Sequence, residues 1–282
     1  MALNHHFRTD LALEAADTGD GRLPDGVFCR EATIGSLKKT TVEIKTDEAA
    51  KRLLRPVGTY HTLEGDLSFY DELCEETMKL LSSMLPDGEV LVVGLGNRSM
   101  TPDALGPLTA DRIMSTAHLP KEGAAKSLYE MFRPVCAICP GTSGQTGMDA
   151  ADIVSAVVKE RKPAAVVAVD ALAARSVSRL GTTIQLSDSG ISPGAGVANS
   201  RRELSRATLG VPVFSLGIPT VIDASTLVCD LGLEPPDTCA SMVVSPRDID
   251  RIITNGADIL SMALNRALQP SLSEDELRFL LK

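Results

Sequence analysis

The chain has 282 residues with an ordinary globular composition, 44% hydrophobic and 23% charged, enough for one large domain or two small ones around a sizeable core. A net charge of −9 excludes a broad nucleic-acid-binding face, which needs concentrated Lys and Arg, although it leaves room for a local basic pocket. No run approaches the ~18 apolar residues that span a bilayer, and the N-terminus, MALNHHFRTD, lacks a secretory apolar segment, so a cytosolic, membrane-free protein is expected.

Residues 1–35 are polar, rich in Gly and Asp and weakly patterned, the pattern of an extended, loosely held leader. Residues 40–45 alternate as a half-buried strand does. Leu67, Tyr70, Leu73, Cys74, Met78 and Leu81 recur at helical spacing, and Pro86-Asp-Gly closes that helix near residue 85. From there apolar strands alternate with helices. Strands are predicted over 89–93, 134–138, 164–169 and 211–216, with helices over 102–117, 149–159 and 201–208. Residues 182–186 read as an edge hairpin strand. A last long helix begins at the cap Ser245-Pro-Arg-Asp and runs to Leu268. Continuous Val/Ile/Ala strands separated by helices predict a three-layer α/β domain with a mostly parallel sheet covered on both faces.

Six cysteines are scattered through the chain, and Cys136 and Cys139 form a C-x-x-C. They sit in a predicted strand, where residues three apart face opposite ways, and no second close pair completes a zinc site. A structural role is expected for them.

In open α/β sheets, sites lie outside the carboxyl ends of strands. Asp170 ends the strand predicted over 164–169, and Asp103 lies in the loop leaving the strand predicted over 89–93. Two carboxylates on one rim can share a proton, one activating water and the other acting as acid. Each also has a capping reading. Thr101-Pro102-Asp103 is a good helix start, and Asp170 can cap the segment that follows it. Spacing alone does not choose between them. Gly94-Leu-Gly96 after a strand admits a nucleotide-binding reading, but Ser99 stands where the third Gly belongs. The histidines, His5, His6, His61 and His118, are badly placed for a Ser-His-Asp set or a metal site, and Ser143 lacks the G-x-S-x-G turn. Carboxylates remain as the acid–base groups.

Several blocks resemble the bacterial germination protease family. They include Val93-Gly-Leu-Gly-Asn, Thr101-Pro-Asp-Ala-Leu-Gly-Pro107, Gly144-Gln-Thr-Gly147, Val169-Asp-Ala-Leu-Ala-Ala-Arg-Ser176, Ser192-Pro-Gly-Ala-Gly196, Gly217-Ile-Pro-Thr-Val-Ile-Asp-Ala224 and Val244-Ser-Pro-Arg-Asp-Ile-Asp250. They occur in family order over nearly the whole chain. The resemblance implies an endopeptidase with the architecture of hydrogenase-maturation proteases, without a metal or other cofactor, whose two essential aspartates map onto Asp103 and Asp170. It implies a zymogen that removes its own leader at a site of the type acidic, apolar, Ala, any residue, Glu. Thr9-Asp10-Leu11-Ala12-Leu13-Glu14 matches, which puts the cut between Asp10 and Leu11, with residues 1–10 as propeptide and 11–282 as one peptidase domain. It further implies small acid-soluble spore proteins as substrates, a homotetramer, and action in the forespore or spore core. Arg175, Arg201 and Arg202 flank loops expected on the active rim and are candidates for reading acidic substrate positions. The family's G-S-G-V-G-N block reads Gly194-Ala-Gly-Val-Ala-Asn199 here, so Ala195 and Ala198 depart from it. The chain is also shorter than the family pattern between residues 227 and 242. Two rivals stand beside this reading: a metal-dependent hydrogenase-maturation-type peptidase on the same fold, and a non-enzymatic nucleotide-binding protein.

Overall fold

The computed structural model describes residues 9–17, 22–119, 130–192 and 202–281. In chain order the strands are β1 (Val27–Ile34), β2 (Leu37–Ile44), β3 (Gly58–Glu64), β4 (Val90–Gly94), β5 (Val135–Ile138), β6 (Ala165–Ala174), β7 (Thr183–Ser187), β8 (Val213–Asp223) and β9 (Val243–Val244). The helices are α1 (Ala12–Ala16), α2 (Asp47–Leu53), α3 (Tyr70–Met84), α4 (Leu105–Ala110), α5 (Ser143–Thr146), α6 (Ala150–Arg161), α7 (Arg206–Leu209), α8 (Ala224–Asp230), α9 (Ile249–Leu268) and α10 (Glu274–Leu280). Among the described residues the strands form one nine-stranded sheet, ordered β1-β2-β3-β7-β8-β6-β4-β5, with β9 pairing with the end of β8.

The strands β5, β4, β6 and β8 run parallel, and their apolar runs follow from burial on both faces. Val90, Val92, Ala165, Val167, Val169, Leu216 and Ile218 face a core closed by α3, α4 and α9. The residues between them, Leu91, Val93, Val166 and Ala168, turn the other way onto Ala150, Ala151, Val154 and Val158 of α6. Helix, sheet, helix is the three-layer α/β architecture expected.

Beyond β8 the sheet is antiparallel, through β7, β3, β2 and β1. Here the structure departs from the sequence expectations. Residues 182–186 are no edge: β7 lies inside the sheet, hydrogen-bonded to β3 on one side and β8 on the other. Of the stretch 1–35, expected to be loosely held, the described residues 9–17 and 22–35 are packed or paired. Leu11 and Ala12 are fully buried, and β1 occupies its last part as the edge strand, with only Val27 buried. A polar edge strand has no apolar alternation to betray it, which is also how edges avoid aggregation. The helix expected over 102–117 is a 310 turn at Thr101–Asp103 followed by the short α4. Pro107 has no N–H to donate to a preceding turn, so a helix containing it must begin just upstream.

The connections fix where a site belongs. From β4 the chain crosses one face through α4 to β5; from β5 it crosses the opposite face through α6 to β6. The crossover direction therefore reverses between the neighbours β4 and β6, and ligand crevices in open α/β sheets form at this reversal, outside the carboxyl ends of the strands.

Candidate active site

Asp170 does not end its strand. β6 continues to Ala174, and Asp170 pairs in register with Gly217 of β8. β4 stops one step earlier, at Gly94 beside Val169, where the Leu95 N–H closes the ladder onto the Val169 carbonyl at 2.8 Å. Asp170 is thus the first residue of β6 without a β4 neighbour, and the helix-cap reading for it is overturned. By strand alternation its side chain shares the face of Val166, Ala168, Leu172 and Ala174. It is 6% exposed, and its Oδ1 accepts the Ala171 N–H at 2.9 Å.

Asp103 lies on the β4–α4 loop, in the 310 turn Thr101–Asp103. Thr101 does not cap the turn; the cap position is Met100, without a side-chain bond. The Asp103 carboxylate instead accepts the Asn97 N–H at 2.7 Å. Gly96 makes that fold-back feasible. Its φ is +111°, a conformation side chains resist, and a Cβ there would lie 2.1 Å from the Asp103 carbonyl oxygen. The turn packs against β6 and β8. The β6–β8 register shifts between Leu172 and Ala173, leaving Thr220 as an extra residue on β8. Such bulges re-aim side chains, and the Thr220 hydroxyl donates to the Pro102 carbonyl at 2.8 Å. From the other side, the Asn97 Oδ1 accepts the Gln145 Nε2–H at 2.6 Å, tying the α5 turn to the same loop. In a nucleotide site the N–H groups of a Gly-rich turn face phosphate; here the Asn97 N–H faces a carboxylate. That arrangement weighs against the nucleotide-binding rival.

The segment from Thr9 to Ala16 lies on the Asp170 face of the sheet. Leu11 packs against Leu172 and Ala174, the positions two and four beyond Asp170. The Asp10 N–H donates to the Ala173 carbonyl at 2.7 Å, and the Ala173 N–H returns a bond to Asp10 Oδ2 at 2.8 Å. Gln185 of β7 grips the same stretch, its Nε2–H on the Asp10 carbonyl at 2.9 Å and its Oε1 on the Ala12 N–H at 2.8 Å. Gln185 pairs with Gly217, and Gly217 pairs with Asp170, so the three residues form one row across the sheet. Gly217 keeps the middle of the row open: a Cβ there would meet the Asp170 carbonyl oxygen at 2.4 Å and Leu172 Cγ at 2.8 Å.

Of the three arginine candidates, Arg201 lies outside the described residues, as do the departures Ala195 and Ala198. Arg175 follows β6 and contributes its N–H to Glu14 Oε2 at 2.7 Å. The Arg202 guanidinium pairs with Asp152 in the first turn of α6, both well exposed. Among the described residues all six cysteines are free, and no group of three or more His, Cys, Asp or Glu is arranged to hold a metal. His61 lies on β3 bonded to Thr41, and His5 and His6 fall outside the described residues. No helix among them is long and apolar enough to cross a membrane. Sequence reasoning missed Asn97, Gln185, Thr220, Arg55 and Arg179. Only Asn97 had a signal, its place in the Gly-rich turn beside Asp103; the others act on residues far away in the chain.

The germination protease family profile matches residues 9–232. A germination protease of Caldanaerobacter subterraneus is 38% identical over 98% of both chains, and its alignment of 318 positions exceeds the 282 residues here, so that relative carries segments this chain lacks. A germination protease of Clostridium tetani is 36% identical over 96% of this chain and 98% of its own. One solved structure, a NiFe hydrogenase maturation protease from Thermococcus kodakarensis, aligns over 64% of this chain and 98% of its own, at 18% identity and a TM-score of 0.32, a likeness too slight to build on. The chain belongs to the germination protease family and is, at that level, a protein-cleaving hydrolase.

Proposed function

We propose that this chain is an aspartate-dependent endopeptidase made as a zymogen, in which Asp103 and Asp170 activate water. In this reading it cuts first between its own Asp10 and Leu11, releasing residues 1–10 and leaving 11–282 as the peptidase domain. It then degrades small acid-soluble spore proteins in the spore core, as a homotetramer, without binding nucleic acid or membrane. The observation that supports the reading is the Asp10–Leu11 peptide lying on the Asp170 face of the sheet, its Asp10 carbonyl bonded by Gln185, whose strand row continues through Gly217 to Asp170.

Chemically, one carboxylate of the pair takes a proton from water as it adds to the scissile carbonyl, and the protonated partner donates to the departing nitrogen. The Asn97 N–H orients the Asp103 carboxylate. The Thr220–Pro102 bond holds the turn that carries it. Asp170 is fixed within β6, and these two bonds tether the turn that carries Asp103, as a preorganised pair requires.

The test is intact mass followed over time for wild type, Asp103→Asn and Asp170→Asn, each with and without chelator. Loss of residues 1–10 in wild type alone, indifferent to chelator, is the expected result. Equal cleavage in all three proteins would assign the cut to another group, and cleavage abolished by chelator would favour the metal-dependent rival.

A further inference from the structure

The α5 turn carries no group that the proposed chemistry uses, yet its exposed Gln145 is bonded at both ends of the amide. Its Oε1 accepts the Thr142 N–H at 3.1 Å and the Thr142 hydroxyl at 3.2 Å, the reach-back half of a capping box. A backbone N–H can only donate, so these bonds fix which end of the amide is oxygen. The Nε2 end then faces Asn97 and donates to its Oδ1 at 2.6 Å. Asn97 is oriented in the same way, because its Oδ1 also accepts the Ser99 N–H at 2.9 Å. The backbone N–H of Asn97 in turn meets the Asp103 carboxylate at 2.7 Å. One line of bonds thus runs from Thr142 through Gln145 and Asn97 to Asp103, joining the chain after β5 to the chain after β4. Capping needs only the bonds to Thr142, which a glutamate supplies as well; the bond to Asn97 needs an amide. Other braces hold the same loop, Arg98 pairing with Asp111 at the end of α4 and Thr220 bonding the Pro102 carbonyl. Gln145 is distinct in holding the residue whose N–H meets the carboxylate.

We propose that Gln145 is a positioning residue for Asp103, fixing the Asn97 turn so that the Asn97 N–H stays on the carboxylate. Its bearing on catalysis rests on the aspartate reading above, while the link itself rests on geometry alone. A hydrogen bond donated to a carboxylate favours the ionised form, so weakening it lets Asp103 keep its proton to higher pH. Whether Asp103 acts as base or as acid, its limb of the pH–rate profile then moves to higher pH. Gln145→Glu is the discriminating change. It keeps the bonds to Thr142, so α5 stays capped, and sets a carboxylate oxygen against Asn97 Oδ1, where no donor remains.

The test reads Asp103 itself, by carboxyl-carbon NMR of the aspartate-labelled full chain carrying Asp170→Asn, with the Asp103 signal assigned from its loss in Asp103→Asn. Adding Gln145→Glu should raise the Asp103 titration midpoint by about 0.5–1 pH unit, and Gln145→Ala should move it the same way by less. A shift in Gln145→Glu with none in Gln145→Ala would be the added charge acting alone and would overturn the proposal. Thr146→Ala removes a hydroxyl that bonds the Thr142 carbonyl at 3.1 Å within α5 and should leave the midpoint in place. An equal shift there would make the effect one of α5 folding and overturn the proposal as well. With Asp170 intact, self-cleavage followed by mass should slow about two- to tenfold in Gln145→Glu, the worth of one hydrogen bond, with its pH optimum moved up. Slower cleavage at an unmoved optimum would count against the link. A shifted Asp103 midpoint with no self-cleavage in any protein would sink the self-processing reading and leave the link standing.

Discussion

The parallel and antiparallel halves of the sheet are built by different rules. In the parallel half, β4 and β6 are buried along almost their whole length. Asp170 in β6 and Asp103 in the β4–α4 loop each take a bond from a backbone N–H group. In the antiparallel half, β1 is exposed along most of its length, and its apolar residues pack against the N-terminal segment itself, Ala12 and Ala16 lying on Val27, Val42, Ile44 and Tyr60. The first half carries both aspartates of the proposed pair. The second half, with β6, forms the bed on which the N-terminal segment lies, held by side chains from β7 and the 175–179 stretch.

The sharpest break in that division is chemical. Asp170→Asn or Asp103→Asn should lower self-cleavage by about 10²–10⁴-fold, the usual worth of a positioned acid or base, while circular dichroism stays that of the folded protein. Next comes a packing contrast. Leu91→Ala in β4, at a fully buried position, should cost about 2–5 kcal/mol in denaturant unfolding. Phe28→Ala in β1, at a position 51% exposed, should stay within about 0.5 kcal/mol. Equal costs would mean the antiparallel half is as tightly packed as the parallel one. Smaller again is Glu14→Gln, which loses the buried carboxylate bonded by the Arg175 and Ser176 N–H groups and the Arg179 guanidinium; a loss of about 1–3 kcal/mol, together with faster proteolysis near residues 9–17, is expected.

The smallest effect is pH-dependent. Burial, and then Lys39, push the half-buried His61 imidazole below its ordinary value of 6.5. The unfolded chain therefore binds this proton more readily than the folded one. The stability contributed by the neutral ring is complete above 6.5 and is lost as pH falls through the lower folded value. A modest decline in unfolding midpoint below that pH, flattened in His61→Gln, is the expected outcome; a decline unchanged by the substitution would place the pH sensitivity elsewhere.

The two halves also differ in how far the sequence reveals them. Residues 90–94 and 165–169 announce themselves because burial on both faces demands apolar side chains at successive positions. Asp170 drew attention for the same reason, as the carboxylate that follows such a run, and Asp103 as one in the loop leaving the other run. The extension of β6 past Asp170 was not visible, since a carboxylate normally breaks an apolar strand and this one stays because the β4 side opens there. The strand Val27–Ile34 reads VFCREATI, with nothing to separate it from a loop until its partner β2 is known. Gln185, Arg55 and Arg179 were illegible because their meaning lies in contacts with Asp10 and Glu14, at the opposite end of the sequence. Long-range polar pairing has no local period to read.

The most direct test of the central claim is single-turnover self-processing in heavy-oxygen water, with the released leader sequenced and weighed. The account predicts a leader ending at Asp10 with one heavy oxygen in its new terminal carboxylate, and no leader from Asp170→Asn. A leader ending elsewhere would contradict the docked cut site. A heavy oxygen found in an enzyme carboxylate rather than in the leader would make that aspartate a covalent nucleophile and contradict direct activation of water.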